Sequence, residues 1–410
     1  MPIDREEARA DDARDPLRAA RARFVLPDLG VYLAGNSLGP LPRDVPARIA
    51  AVASREWGEG RVRSWGAAGW FDLPRRLGAK LAPILGVGAT DVVVTDTISI
   101  NLYKVVAAMR ARFPARPRVL VEAGAFPTDR YVLGAAAGAG NTVDLRSPDA
   151  LDEALLDPSI GIVVLGHVDY ASSFRWDVAT ATKKIHDAGA RAVWDLAHSA
   201  GVMELALAAW GVDAAVGCTY KYLCGGPGAP GFVYVAPALV SELTQPLAGW
   251  WGHAQPFAMA PEYAPAPGIG RFLCGTQPVL TMAALDVALD AVAGVDWAEA
   301  RRKSERLCAI FMGAVRELAK RHPVAVAGPA DPKARGSHVA VRFDAAYELT
   351  QALIARGVVG DFRPPCFARF GFSPIFTSHE DAWLAGDALG AVLDDGTWKD
   401  PRFAHRTTVT

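Results

Sequence analysis

Lys221 is the residue of this chain whose type and setting point most directly to chemistry. It lies in the run GCTYKYLCGGPG at residues 217–228, after an apolar strand-like stretch and before a glycine-rich turn. A lysine held on such a short loop is partly desolvated, and desolvation favours the neutral amine, the form that attacks an aldehyde. The run therefore indicates an aldehyde-binding lysine, although an ordinary surface lysine in a loop would also give this pattern.

Asp195 ends an apolar stretch 26 residues before Lys221. A carboxylate at the carboxyl end of a buried strand needs a cation or a hydrogen-bond donor. A protonated pyridinium nitrogen is such a partner, and the pairing turns the ring into an electron sink. Asp195 could instead cap the segment that follows. Together, the aspartate and the lysine indicate pyridoxal 5′-phosphate (PLP) and resemble the fold-type I PLP enzymes.

Three other segments carry side chains that suit a phosphate, a planar ring and a carboxylate. Residues 95–101 follow a strand and open a helix, where free amides and hydroxyls suit a phosphate, although a hydroxyl there could simply be a helix cap. Phe126 follows another strand end and could stack on a ring, with Asp129 beside it. Arg369 lies between apolar residues, so its guanidinium requires a carboxylate, from an amino-acid substrate or from a structural salt bridge.

Composition excludes several other classes of protein. The chain has 410 residues, of which 51% are hydrophobic, and a formal net charge of −1. These values predict a folded protein with a large core and no basic surface for nucleic acid or anionic membranes. No apolar run is long enough for a membrane span, and the first twenty residues lack the apolar stretch of a signal peptide. The five cysteines show neither metal-ligand spacing nor a disulfide framework, so we expect a cytoplasmic location and no metal.

The elements that must position these residues are predicted from hydrophobic runs. Between residues 90 and 285, short apolar stretches alternate with helical ones, which predicts an α/β fold with a mostly parallel sheet between helices and ligands beyond the strands' carboxyl ends. The predicted strands are residues 91–94, 118–121, 161–165, 192–194, 212–216 and 232–235.

The later part of the chain has a different pattern, with helices at 296–320 and 346–355 and strands at 322–326 and 338–343. We interpret it as a smaller α+β domain, and the Pro/Gly stretch 261–270 as a long irregular loop. The predicted division is an N-terminal segment at 1–40 that packs on the small domain and the site, a large PLP-binding domain at 41–285 and a small C-terminal domain at 286–410.

Nearly the whole chain resembles the kynureninase family. The resemblance is carried by eight motifs in the family's order: residues 32–39 (YLAGNSLG), 63–65 (RSW), 126–129 (FPTD), 194–201 (WDLAHSAG), 220–221 (YK), 249–253 (GWWGH), 271–276 (RFLCGT) and 360–363 (GDFR). It implies a fold-type I enzyme with a seven-stranded sheet. It also implies hydrolytic Cβ–Cγ cleavage of L-kynurenine, or its 3-hydroxy form, to anthranilate (or 3-hydroxyanthranilate) and L-alanine, within tryptophan catabolism and NAD biosynthesis.

The resemblance also implies roles for individual residues. The predicted catalytic residues are Lys221, which forms the Schiff base, Asp195, which pairs with the pyridinium nitrogen, and Tyr220, a proton carrier. The other predicted cofactor contacts are Ile98, Ser99, Phe126, Asp129, His198 and Tyr220, with Trp250 and Thr276 contributed by the partner subunit of a homodimer. Arg369 is expected to bind the substrate α-carboxylate, and the pocket for the aryl ketone is expected to include Asn36, Ser37 and Trp65.

Several positions depart from the family pattern and leave the substrate's aryl end open. Gly166 stands where Thr or Ser is usual and Asp169 where Asn is expected, and we expect Asp169 and Arg130 either to pair or to recognise a different side chain. Cys224 and Cys366 replace an expected Asn and Asp. The alternatives are an enzyme acting on a modified kynurenine or another γ-keto amino acid, a cysteine desulfurase, an aminotransferase, and a non-catalytic relative.

Overall fold

The computed structural model describes residues 3–27 and 30–406. Residues 1, 2, 28 and 29 of the predicted N-terminal segment, and residues 407–410 of the predicted small domain, lie outside the described residues. The α-helices of the described chain are α1 (Arg5–Arg14), α2 (Val45–Ala51), α3 (Ser64–Ala67), α4 (Leu73–Leu85), α5 (Ile98–Arg112), α6 (Pro127–Ala137), α7 (Leu151–Ala154), α8 (Val178–Asp187), α9 (Pro237–Val240), α10 (Val279–Ala291), α11 (Trp297–Leu318), α12 (Ala346–Ala355) and α13 (His379–Asp394).

The strands are short and mostly apolar. In chain order they are β1 (Phe24–Val25), β2 (Val31–Tyr32), β3 (Leu41–Pro42), β4 (Val92–Val94), β5 (Arg118–Glu122), β6 (Thr142–Leu145), β7 (Ile160–Gly166), β8 (Arg191–Asp195), β9 (Ala214–Cys218), β10 (Gly231–Val235), β11 (Ala325–Val326), β12 (His338–Arg342), β13 (Val358–Val359), β14 (Asp361–Arg363) and β15 (Phe367–Gly371).

The large sheet has seven strands among the described residues, in the order β4-β10-β9-β8-β7-β5-β6. Strand β10 runs antiparallel to both of its neighbours, and the other pairs are parallel. Both faces are covered, because alternate residues of β7 enter different cores: Val163 and Leu165 pack in one, Ile162 and Val164 in the other. Burial on both faces explains why these strands are continuously apolar. The predicted α/β fold with a mostly parallel seven-stranded sheet is confirmed.

The smaller sheet is antiparallel, in the order β11-β12-β15-β14. It shares a separate core with apolar side chains of α11, α12 and α13. Its first strand is shorter than expected, because only Ala325–Val326 of the predicted 322–326 is paired.

The N-terminal segment packs against this part of the chain. Strand β2 pairs in parallel with β13, and Gly371 at the end of β15 donates its amide to Leu33. The boundaries at residues 40 and 285 stay predictions, because such contacts identify neighbours and not independently folding units. Within the described ranges, no helix combines the length and apolar character needed to cross a bilayer.

Candidate active site

A cavity of about 360 Å³ lies at the carboxyl ends of β5, β7 and β8, and residues of β14 and β15 in the smaller sheet also line it. It brings together residues from segments that are far apart in sequence. The predicted site residues that line it are Asn36, Ser37, Ile98, Ser99, Phe126, Asp129, Asp195, His198, Tyr220, Lys221 and Arg369. The structure therefore gathers eleven of the predicted residues around one space.

Lys221 lies on the loop between β9 and β10, and backbone bonds fix this loop on both sides. Its carbonyl accepts from the Cys224 amide, and the Gly39 amide donates to the preceding carbonyl, that of Tyr220. The Lys221 Nζ lies 3.0 Å from His198 Nε2. Burial, followed by the charge of Lys221, lowers the pKa of His198 well below its usual value, so the imidazole stays neutral. The neutral ring leaves Lys221 without a competing positive charge at this contact.

Asp195 and Asp129 form a carboxyl pair beside Lys221. The Asp195 Oδ1 accepts a hydrogen bond from the Ala197 amide at 2.7 Å, and the two carboxyl groups hydrogen-bond to each other. Burial raises the pKa of both groups, and the neighbouring Asp195 charge raises that of Asp129 further. Asp129 is thus the protonated partner and donates to Asp195, which keeps the negative charge facing the cavity. This arrangement fits a cationic ring nitrogen.

The amino terminus of α5 forms another wall of the cavity. The Thr97 side chain caps the helix by accepting from the Ile100 amide, and the Asn101 side chain donates to the Thr95 carbonyl at 2.7 Å. Ile98 and Ser99 therefore occupy the first turn, where backbone amides are not used by the helix itself. Such a helix terminus favours a phosphate, and the donors present fit the phosphate end of PLP.

Arg369 reaches the cavity from β15 and is almost fully buried. Its Nε lies 2.8 Å from Asp361 Oδ1 and its Nη2 2.5 Å from Oδ2, while Nη1 donates to the Tyr170 carbonyl at 2.5 Å. Arg363, another cavity residue, shares Asp361 Oδ2 at 3.0 Å. Three of the five N–H groups of Arg369 are used in these bonds, so it combines a structural salt bridge with spare donors.

Three predicted residues do not line the cavity of this chain. Trp65 packs edge-on against Trp251, and Trp250 stacks on Trp251 with ring centroids 5.1 Å apart. Thr276 is exposed and Trp250 is 38% exposed. The predicted positions of Trp250 and Thr276 in a partner's site, and of Trp65 beside the substrate, stay predictions.

The expected pairing of Asp169 with Arg130 is wrong. Arg130 lies on α6 and binds Asp144 at 2.7 Å, while Asp169 accepts from the amide and hydroxyl of Ser172. Gly166 lines the cavity, and a Cβ added there would meet Glu122 Oε2 only at 3.7 Å. A side chain therefore fits at position 166, so the glycine is not required by packing.

The sequence analysis missed several cavity residues, among them Glu122 and Tyr170. Glu122 is the last residue of β5, so it carries the signal that identified Asp195: a carboxylate at the carboxyl end of a buried strand. The Tyr170 ring meets Phe126 edge-on, with centroids 5.4 Å apart. No sequence pattern distinguishes Tyr170, because it lies on an irregular loop after β7.

Comparisons with known proteins match nearly the whole chain to kynureninases. A family model described as the kynureninase C-terminal domain matches residues 300–389. Over 414 residues the chain is 46% identical to a kynureninase of Burkholderia mallei (strain SAVP1) and 44% identical to one of Pseudomonas fluorescens, with 99% of both chains covered in each case.

Solved structures share the fold at lower identity. The apo cysteine desulfurase of Thermococcus onnurineus NA1 matches with a TM-score of 0.77 at 18% identity, covering 93% of this chain and 99% of that one. A lysine-to-alanine mutant of C-DES with glycine covalently linked to the PLP cofactor matches with a TM-score of 0.76 at 18% identity, covering 90% and 98%. At these identities the similarity shows the fold alone.

Proposed function

The chain belongs to the kynureninase family, and we propose that the cavity around Lys221 and Asp195 is where it acts. The reaction is the PLP-dependent hydrolysis of L-kynurenine, or its 3-hydroxy form, to anthranilate (or 3-hydroxyanthranilate) and L-alanine by Cβ–Cγ cleavage. The observation that carries the location is the convergence of an amine, a carboxylate and a helix amino terminus on one cavity. These three groups match the aldehyde, the ring nitrogen and the phosphate of one cofactor.

PLP supplies an electron sink that takes up the electron pair left when a bond at the substrate breaks. Lys221 Nζ would anchor the cofactor through its aldehyde and, once released, would take the proton from the substrate Cα. Asp195, hydrogen-bonded by Asp129, keeps the ring nitrogen protonated. The amides of Ile98 and Ser99 orient the phosphate, with Tyr220 beside them.

Tyr220 is the proposed proton carrier for the leaving carbon. Burial raises the pKa of its phenol above the usual value, so the hydroxyl keeps its proton at neutral pH. Its ring lies beside Lys221, with the Nζ 5.9 Å from the ring centroid. Arg369 is the proposed anchor of the substrate α-carboxylate, since a guanidinium fits that group in a fork geometry. Asn36, whose buried side-chain amide has no hydrogen-bond partner among the described residues, is available to the substrate.

The proposed assembly is a cytoplasmic homodimer with active sites at the subunit interface. Trp250 and Phe257, 38% and 68% exposed, belong to an aromatic cluster with Phe71 on the surface of the single chain. A contiguous exposed apolar patch of this kind suits an interface. The five cysteines, all within the described residues, are free thiols, as suits a reducing compartment.

The test is to incubate the purified, PLP-loaded protein with L-kynurenine and follow the fluorescence of anthranilate. We expect product and a visible absorption band from the lysine-bound cofactor in the wild type, and neither in Lys221→Ala. Lys183→Ala is the matched control, because Lys183 is a surface lysine whose side chain is 74% exposed. A Lys221→Ala protein that keeps both signals would disprove the assignment.

Cysteine desulfuration is the rival reaction, because a cysteine desulfurase is among the solved structures that share this fold. It would need a nucleophilic cysteine at the site, and Cys366, which lies three residues before Arg369, is not among the residues that line the cavity. Release of sulfide from cysteine that is lost in Cys366→Ser would favour this rival over kynurenine hydrolysis.

A further inference from the structure

Glu122 is an acidic cavity residue for which the proposed mechanism has no role. Its Oε1 accepts from the Trp176 indole N–H at 2.9 Å, and its Oε2 accepts from the Gly166 amide at 3.0 Å. Both donors bind a carboxylate better than a carboxylic acid, because each oxygen must offer a lone pair. The local geometry is therefore built for an ionised group.

The position of Glu122 relates it directly to Asp195. Gly166 ends β7 and lies opposite Asp195 at the end of β8, so the amide that Glu122 binds is one strand away from the proposed partner of the ring nitrogen. Glu122, Asp129 and Asp195 thus form a cluster of three acids on one wall of the cavity, and Asp169 lines the cavity nearby.

In the chain alone, neighbouring positive charges do not balance the negative charges of this acidic cluster. Burial, together with the charges of Asp169 and Asp195, raises the pKa of Glu122 to about 7, although the hydrogen bonds from Trp176 and Gly166 oppose this rise. The positive charge of Lys221 acts on Asp195 and Asp129, and its Nζ lies 3.0 Å from His198 Nε2. The neighbouring cation Arg130 is paired with Asp144, and reaches only the backbone carbonyl of Glu122. A cation bound in the cavity would relieve this repulsion and favour ionised Glu122.

We propose that Glu122 is a positioning residue of the cofactor site, whose carboxylate, held by the Trp176 indole and the Gly166 amide, adds to the negative charge of Asp195 in holding the ring nitrogen protonated. The inference rests on the proposed function, because it assumes that PLP occupies this cavity. It extends that function by assigning a second negative charge, after that of Asp195, to the stabilisation of the protonated ring nitrogen. This charge acts on the cofactor across Gly166 and not by direct contact.

The test is a pH titration of the visible absorption band of the lysine-bound cofactor in purified holoprotein. In Glu122→Gln, the loss of a negative charge destabilises the protonated form of the bound cofactor. The pH midpoint of the absorption change therefore moves to lower pH by about 0.5–1 unit. Glu122→Asp keeps the charge but shortens the side chain by one methylene group, which disturbs the two hydrogen bonds. We expect its transition within about 0.3 unit of the wild type.

A control variant and a second measurement distinguish the loss of the Glu122 charge from a change in structure. Asp152→Asn removes a surface carboxylate that is paired with Lys184 and 67% exposed, and it should leave the transition unchanged. Binding of pyridoxine phosphate, which has no aldehyde, to the apoprotein should weaken in Glu122→Gln by about fivefold or more. This readout does not depend on Lys221.

The outcomes are distinct. A transition in Glu122→Gln that matches the wild type, or an equal shift in Glu122→Asp, overturns the inference, since the second result would show a purely structural role. Absence of the visible band from the wild type itself would overturn the proposed function and not this inference alone. If Glu122→Gln does not fold, Glu122→Asp with the pyridoxine phosphate measurement still decides: affinity that falls as charge is kept contradicts a charge-based role.

Discussion

Arg369 and Arg363 share one carboxylate, Asp361, and this sharing determines what each guanidinium can still bind. Arg369 holds Asp361 through two N–H groups and is almost fully buried, whereas Arg363 makes one contact and is 29% exposed. Two cations around one anion leave a net positive charge at the cavity wall. A substrate carboxylate would balance that charge, which supports binding of the amino-acid end of the substrate on this side.

A variant of Arg369 can show whether substrate binding depends on the positive charge of this side chain or on the planar geometry of its guanidinium group. Arg369→Lys keeps the charge but cannot make the paired contacts, so we expect KM for kynurenine to rise by about 10- to 100-fold with a smaller change in kcat, equivalent to about 1.5–3 kcal/mol. The matched variant is Arg363→Lys, for which we expect a rise of about threefold or less. Steady-state kinetics decide: a larger KM effect in Arg363→Lys would transfer the anchor role to Arg363.

The predictability of single residues depended on where they lie in the fold. Asp195 and Lys221 were recognisable because strand ends and glycine-rich turns leave clear sequence signals. Glu122 carried the first of these signals and was overlooked, because no nearby motif drew attention to it. The bonds of Asp361 to Arg369, and of Arg130 to Asp144 instead of Asp169, depend on how distant segments pack, and no local pattern encodes that packing.

Helix α5 is the element on which the proposed phosphate-binding part of the site depends. Lys104, fully buried on this helix, binds Asp96 at 2.6 Å, and Asp96 lies just before the helix, in the left-handed region at φ 44°. Lys104 also donates to the Phe272 carbonyl. Burial lowers the pKa of Lys104, opposed by the charge of Asp96. The pair fixes the turn that presents Ile98 and Ser99 to the cavity.

Breaking this pair should loosen the site from a distance. Lys104→Met leaves Asp96 partly buried without its cation, which should destabilise the fold by about 3 kcal/mol and weaken PLP binding as the helix terminus shifts. The double variant Lys104→Met/Asp96→Asn removes both charges and should recover at least half of the lost stability. Thermal unfolding and PLP titration provide the measurements, and a single variant as stable as the wild type would contradict the anchoring role.

The elements themselves were predicted unevenly, for physical reasons. Helices α11 and α12 match the predicted ranges 296–320 and 346–355 closely. The start of α11 is marked by Asp296, whose side chain accepts from the amides of Ala298 and Glu299. Strand β6 escaped notice, because it lies at the sheet edge and only its last residue, Leu145, is buried. The antiparallel direction of β10 could not be read from its sequence, since strand direction is set by the pairing partner.

At the scale of the whole molecule, the buried ionisable groups make stability depend on pH in two directions. Burial raises the pKa of Glu122 to about 7, so the folded state binds its proton more tightly and stability from this group falls as pH rises from about 4.5 to 7. Burial lowers the pKa of His167 to about 3, so stability from this histidine rises with pH up to about 6.5. The net pH profile is therefore a balance of opposite slopes.

A comparison of variants isolates the acidic contribution. The wild-type and Glu122→Gln apoproteins contain the same histidines, so we expect the stability of Glu122→Gln relative to the wild type to increase between pH 5 and pH 8, by at most about 3 kcal/mol. Thermal unfolding of both apoproteins across this range is the measurement. A difference that stays constant with pH would show that Glu122 has no raised pKa in the folded apoprotein.

The proposed homodimer leads to a prediction that a single chain could not fulfil. If Trp250 of each subunit completes the site that contains Lys221 of the other, then Lys221→Ala and Trp250→Ala damage different halves of every site. In a mixed dimer, one site receives both intact residues and the other receives neither. Random reassembly of equal amounts of the two variants should therefore restore about a quarter of the intact sites, as symmetric exchange requires.

The experiment is to dissociate and reassociate the two weakly active variants together and to measure anthranilate formation. Each variant taken through the same cycle alone is the control, and so are the two variants mixed without dissociation. Recovery of activity only in the reassociated mixture of Lys221→Ala and Trp250→Ala supports a shared site. No recovery, despite mixed dimers detected by mass, would mean that each subunit builds its site alone, because complementation needs the two residues to come from different chains.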